Sequence, residues 1–166
     1  MSDDLGILHP SVREALAAAG AQYEAVRCEP ELADTAEFCA HYGIAQSEAC
    51  NTILVALKKT PREYIACLVR ADTRLDVNHR VAAEVSFKRL SFASADETAE
   101  LTGMSIGGVT LVGLPAHMPI LIDDAVFENA TVIVGGGNRS SKVRIDPREL
   151  LKLPNARRAS IAVPRV

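Results

Sequence analysis

Tryptophan is absent from this chain of 166 residues, and aromatic residues make up only 4% of it. Its core must therefore be aliphatic. No apolar run approaches the ~20 residues that cross a bilayer, so no membrane partner is expected. The start, Met1-Ser2-Asp3-Asp4, is acidic and has neither the basic nor the apolar region of a signal peptide. A cytoplasmic protein is expected. Cys28, Cys39, Cys50 and Cys67 lie 11, 11 and 17 positions apart, with no C-x-x-C pair and no Cys/His cluster. That spacing argues against zinc, and in a reducing cytosol these residues read as free thiols used as small apolar side chains. No metal or cofactor is expected.

What is present fits one globular domain. The chain is 48% apolar and 23% charged, which excludes bulk disorder and suffices for one core. We read residues 1–166 as a single domain, with its core at about 10–151 and a loosely ordered stretch at 154–166. The net charge of -3 argues against indiscriminate binding of nucleic acid. Charge is unevenly spread, however. Residues 1–50 carry nine acids and two bases, whereas residues 135–166 carry eight bases and two acids. A basic C-terminal end can meet phosphates; a solvated surface is the plainer reading.

Periodicity and punctuation divide the chain into short elements. Helices are expected at 10–19, 34–42, 76–85 and 94–102, the last opened by a capping box from Ser94 to Glu97. Two continuous apolar runs, 52–57 and 64–69, flank a polar turn with Pro61 and read as a hairpin of well-buried strands. Further strands are expected at 23–27, 89–93, 109–112, 120–122, 131–134 and 142–145, with a short final helix at 147–151. The sum is an α/β domain: a mixed, curved, barrel-like sheet surrounded by helices.

Glycine clusters in two places, Gly103-Met104-Ser105-Ile106-Gly107-Gly108 and Gly135-Gly136-Gly137. Glycine permits positive φ and close approach to the main chain, so the two turns read as a pocket lined by backbone amides. Familiar motifs do not account for them. The dinucleotide fingerprint fails because position 140 is serine, and no P-loop follows. Gly-x-Ser-x-Gly fits 103–107 as a string, but it follows a helix and precedes a strand, the reverse of a nucleophile elbow. His9, His41, His79 and His117 show no local pairing. Asp123-Asp124 reads as a turn or cap rather than a metal or acid/base pair, and Lys58 and Lys59 as a solvated turn.

Taken together, several strings resemble the YbaK/ProX family of aminoacyl-tRNA deacylases, which includes the editing domain of bacterial prolyl-tRNA synthetases. They are Thr52-Ile53-Leu54-Val55, the 70–76 stretch, the 90–97 stretch, Leu101-Thr102-Gly103, Gly107-Gly108-Val109-Thr110, Ile122-Asp123 and Val132-Ile133-Val134 with the glycines that follow. The resemblance spans about residues 10–151. It implies hydrolysis of the ester joining a wrong amino acid to tRNA, by main-chain groups, a lysine near the start of a central strand and the ribose hydroxyl of the substrate. It implies catalytic roles for Asn51, Gly107 and Gly108. Substrate contacts are expected at Thr52, Thr110, Gly135, Gly136 and Gly137, and the charge asymmetry adds Arg139 and Lys142 as contacts to phosphates of the acceptor end. The implied partner is aminoacyl-tRNA; a homo-oligomer or association with an aminoacyl-tRNA synthetase stays open.

The sequence departs from that family at two positions. Asn51 stands where the family carries its lysine, and Leu111 where the glycine loop often has proline. Asn51 can hydrogen-bond but has no charge. Altered specificity and retained binding without catalysis are both compatible with these changes, and the second makes the chain a non-catalytic tRNA-end binding module.

Overall fold

The computed structural model describes residues 6–165, so the acidic Met1-Ser2-Asp3-Asp4 stretch lies outside the described residues. Helix α1 (Pro10–Ala19) leads to strand β1 (Glu24–Arg27) and helix α2 (Thr35–Tyr42). The predicted hairpin follows as β2 (Cys50–Leu57) and β3 (Glu63–Arg70), paired antiparallel along their whole length. After β4 (Thr73–Leu75), a π-type turn (Val77–Val81) runs into the short α3 (Ala82–Val85). Then come β5 (Leu90–Phe92), α4 (Ala95–Thr102), β6 (Ile120–Asp123), β7 (Val132–Gly135) and β8 (Ser141–Ile145). The described chain finishes with α5 (Pro147–Leu150), β9 (Ala156–Ala159) and β10 (Ala162–Pro164).

Local chemistry explains several boundaries. Gly20 and Gly43 end α1 and α2 in the left-handed conformation. Ser94 and Glu97 form the reciprocal capping box of α4. The 109–112 run, expected as a strand, is irregular chain: Leu111 and Val112 are fully buried in the core without a ladder.

The expected barrel is not formed. The strands make a five-stranded mixed sheet (β5-β2-β3-β6-β9), a three-stranded antiparallel sheet (β1-β8-β7) and a two-stranded pair (β10-β4). Strands β5 and β9 are open edges of the large sheet, and one isolated bridge, Ala49 to Ile133, joins it to the three-stranded sheet. A barrel needs its edge strands to pair; here one bridge is the only ladder contact between the two sheets among the described residues, and they otherwise pack through side chains.

The large sheet is buried on both faces, which is why β2 and β3 are apolar without alternation. Leu54, Ala66, Leu68, Ile120 and Ile122 face Val12 and Leu16 of α1 and the three-stranded sheet. Val55, Leu57, Ile65, Cys67 and Leu121 face Val77, Val81 and Ile161. Strands β9 and β10 lie within 154–166, the stretch expected to be loosely ordered; β9 runs parallel to β6, and β10 antiparallel to β4.

Asp123 fastens that segment. It is 4% exposed, and its carboxylate accepts from the amides of Ile161 and Ala162, both at 2.9 Å, and of Ala125 at 3.1 Å. Asp123→Ala strips the acceptor from three amides in or near the core. We expect a loss of about 3 kcal/mol in urea unfolding, and faster amide exchange confined first to residues 160–164.

Candidate functional site

A cavity of about 280 Å³ opens at the corner where the two sheets meet. Its walls come from the start of α2 (Asp34, Thr35, Phe38), the first half of β2 (Asn51, Thr52, Ile53), the first glycine turn (Gly107, Val109) and the β7–β8 ribbon (Ile133, Gly135, Lys142). Of the residues singled out from sequence, Asn51, Thr52, Gly107, Gly135 and Lys142 therefore share one concavity. Gly108, Thr110, Gly136, Gly137 and Arg139 do not line it.

The strand wall is an unpaired sheet edge. Ala71 donates to the Ala49 carbonyl on the β3 side, whereas Ala93 donates to the Leu54 carbonyl on the β5 side. Polar groups alternate sides along an antiparallel strand, so the Thr52 amide and carbonyl point toward the β5 side. Pairing with β5 begins only at Val55. Thr52 thus presents main-chain donor and acceptor at the cavity, and its buried Oγ1 has no hydrogen-bond partner among the described residues. Beside it, the Asn51 Oδ1 accepts from the Thr35 hydroxyl at 2.5 Å.

The two glycine turns are packed against each other. The Gly137 amide donates to the Gly108 carbonyl at 2.7 Å, and Ser105 donates to the Gly137 carbonyl at 3.3 Å. A Cβ on Gly108 would stand 2.0 Å from the Asn138 carbonyl oxygen, and one on Gly135 would stand 2.4 Å from that of Val109. Side chains at these positions are excluded by backbone, not by a ligand. The Gly108 amide is also committed, to Ser105 at 2.8 Å. The Gly107 and Val109 amides make no hydrogen bond among the described residues, so they are the turn's free donors at the cavity wall. Thr110 is fully buried, its hydroxyl accepting from the Val112 amide at 3.5 Å. Leu111 sits in the core, not in the cavity.

Two cations bracket the first turn. Arg139 is half-buried at the rim: it donates to the carbonyls of Pro30 (3.0 Å) and Ile106 (2.9 Å) and pairs with Asp34 at 3.2 Å. Lys142 is 6% exposed. Its ammonium donates to the carbonyls of Ala33 at 2.6 Å and Gly107 at 3.1 Å, and lies 5.4 Å from the centre of the Phe38 ring. Burial pulls its pKa below the usual lysine value, opposed in part by Cys28 and Asp34. Sequence reasoning did not single out Asp34, Thr35 and Phe38 as site residues. The signal available was the helix start at Asp34, 17 positions before Asn51.

A covalent nucleophile finds little support here. Cys50 lines the cavity, but burial pushes its thiol up to about 12, and the thiolate is the reactive form. Ser105 belongs to an exposed turn. His9 caps α1, and His79 rests against Asp76 at a helix start. Asp123 is structural, as shown above. The described residues contain no helix long and apolar enough to cross a membrane. What the cavity offers is main-chain amides, one amide side chain and a buried ammonium.

The model of the aminoacyl-tRNA editing domain matches residues 29–153. The proline–tRNA ligase of Bacillus licheniformis is 31% identical over 109 residues, 64% of this chain but only 18% of the ligase. This chain therefore spans under a fifth of that relative. Two solved structures are similar over nearly their full length. One is a hypothetical protein (27% identity, TM-score 0.82, covering 92% of this chain and 99% of that one). The other is described as a proposed trans-editing enzyme for prolyl tRNA synthetase (27% identity, TM-score 0.80, covering 94% and 99%). With the family model matching most of its length, the chain belongs to the aminoacyl-tRNA editing domain family, in the YbaK/ProX-like trans-editing group related to the editing domain of prolyl-tRNA synthetase.

Proposed function

We propose that this protein hydrolyses the ester of a mischarged aminoacyl-tRNA in the cavity between β2 and the first glycine turn. The carrying observation is that Thr52, Gly107 and Val109 line one concave site with main-chain amides that have no hydrogen-bond partner among the described residues. Ester hydrolysis needs an activated water and donors for the carbonyl oxygen as it becomes negative. Water bonds the carbonyl carbon, the carbonyl π pair moves to oxygen, and the bond to the ribose oxygen then breaks. The proton lost by the water ends on that ribose oxygen, leaving free amino acid and tRNA. No side-chain nucleophile is required.

The cavity walls suit a small or medium side chain, with Phe38, Ile53, Val109 and Ile133 as apolar contacts. One relative is a proline–tRNA ligase and another is described as a proposed trans-editing enzyme for prolyl tRNA synthetase, so tRNA for proline carrying a wrong amino acid is the first substrate to try. Such a role belongs in the cytoplasm, where tRNA is charged. A second reading, binding without turnover, is favoured by one feature: Asn51 is uncharged and already engaged by Thr35.

A panel of mischarged tRNAs separates the two. We expect amino-acid release well above the uncatalysed rate on at least one member; tight binding with no release on any would establish the binding module. Asn51→Lys is expected to change the rate or the preferred amino acid on that panel, since it puts a charge on the cavity wall; unchanged kinetics would move the chemistry elsewhere. Gly108→Ala, in contrast, is expected to act through the fold. Its Cβ meets the main chain of Asn138, so we expect thermal unfolding to show about 2–3 kcal/mol of destabilisation.

A further inference from the structure

Lys142 is the one lysine of the described residues that is almost wholly buried. Burying an ammonium costs several kcal/mol unless it is paired, yet no carboxylate lies within ion-pair distance of it among the described residues. The nearby acid, Asp34, is engaged by Arg139. The groups around the ammonium are the Ala33 and Gly107 carbonyls, the Phe38 ring, Asp34 and Arg139 at the rim, and the neutral thiols of Cys28 and Cys39. An ammonium has three N–H donors. Two are given to the carbonyls of Ala33, just before the cavity-lining start of α2, and of Gly107 in the first glycine turn, and Lys142 itself lines the cavity.

This arrangement does two things. The two carbonyl bonds tie the start of α2 to the first glycine turn, which fixes the cavity width. The ammonium is screened from water in a lining that is apolar at Phe38, Ile53 and Ile133 and polar at Asn51 and Thr52, where a charge acts more strongly than in water. Resting on the deacylase reading above, we infer that the Lys142 ammonium contacts the negatively charged oxygen formed as water adds to the aminoacyl ester, so that β8 supplies the cation that position 51 lacks. Lys142 is then a catalytic residue of this chain, in place of a surface contact to tRNA phosphates.

Two probes built on adenosine test the inference. One carries alanine through a 3′ amide, with a neutral planar carbonyl; the other carries a 3′ (1-aminoethyl)phosphonate, tetrahedral with a charged oxygen. Calorimetry on the folded wild type is expected to give at least about tenfold tighter binding of the phosphonate. Lys142→Met is expected to abolish that preference by weakening the phosphonate far more than the amide, and to lower kcat about 100-fold. Lys142→Gln keeps N–H donors without the charge, so it separates loss of charge from loss of hydrogen bonding; with thermal unfolding confirming that it is folded, it is expected to behave as Lys142→Met. An undiminished preference in both variants overturns the inference. So does an equal loss of both probes in a folded Lys142→Gln, which would make Lys142 a structural tie only. A Lys142-dependent preference in a protein that releases amino acid from no tRNA would reject the deacylase reading and leave the anionic contact standing.

Discussion

The site depends on one main-chain contact, the hydrogen bond from the Gly137 amide to the Gly108 carbonyl at 2.7 Å. It joins two turns that lie about 30 residues apart in the chain, a separation readable from their numbers. Contact at that distance leaves no room for Cβ atoms, so glycine is dictated at 108 and 135 by the opposing backbone. Once the turns are locked, Gly107 and Val109 line the same cavity as the unpaired stretch of β2, with their amides unspent. The corner between the two sheets is thereby held open as a cavity, when side-chain packing would otherwise close it.

Charge is the second constraint. The cavity lining mixes apolar and polar groups, and a buried lysine ammonium is held there by two carbonyl dipoles and the face of a ring. Neither dipole nor ring cancels a full charge. Such a group is stabilised further by any ligand that brings negative charge, and most of all by one that develops it during reaction. Arg139 differs in kind: its guanidinium is neutralised by Asp34 and by carbonyls of the surrounding loops, and it closes the rim as a latch.

Much of the fold was legible in the sequence because it is locally encoded. The hairpin shows as two apolar runs around a polar turn, and the Ser94–Glu97 capping box was found in place. The barrel was misread because strand periodicity says which face is buried, not whether edge strands pair. Residues 109–112 look like a strand by composition, yet they fill the core as irregular chain. The burial of Lys142 has no local signature at all. Lys142 and Arg144 alternate with apolar residues on β8 and read as one solvated face. Cover from Ala33 and Gly107, which lie 109 and 35 positions away, buries only the first of them. The same long-range packing brings Asp34, Thr35 and Phe38 to the cavity.

The central claim is that the aminoacyl end of a tRNA sits in this corner, against the free edge of β2 and the locked glycine turns. Amide chemical shifts followed during titration with an adenosine carrying a 3′ amide-linked amino acid test it most directly. The expected result is that the largest shifts fall on Thr52, Gly107, Val109 and Gly135, with the Lys142 side-chain signal moving alongside them. Shifts concentrated instead on the second cavity of the molecule, which Ala18, Leu114 and Leu153 line, or on Arg157 and Arg158 of β9, with the Thr52 and Gly107 amides unmoved, would contradict it.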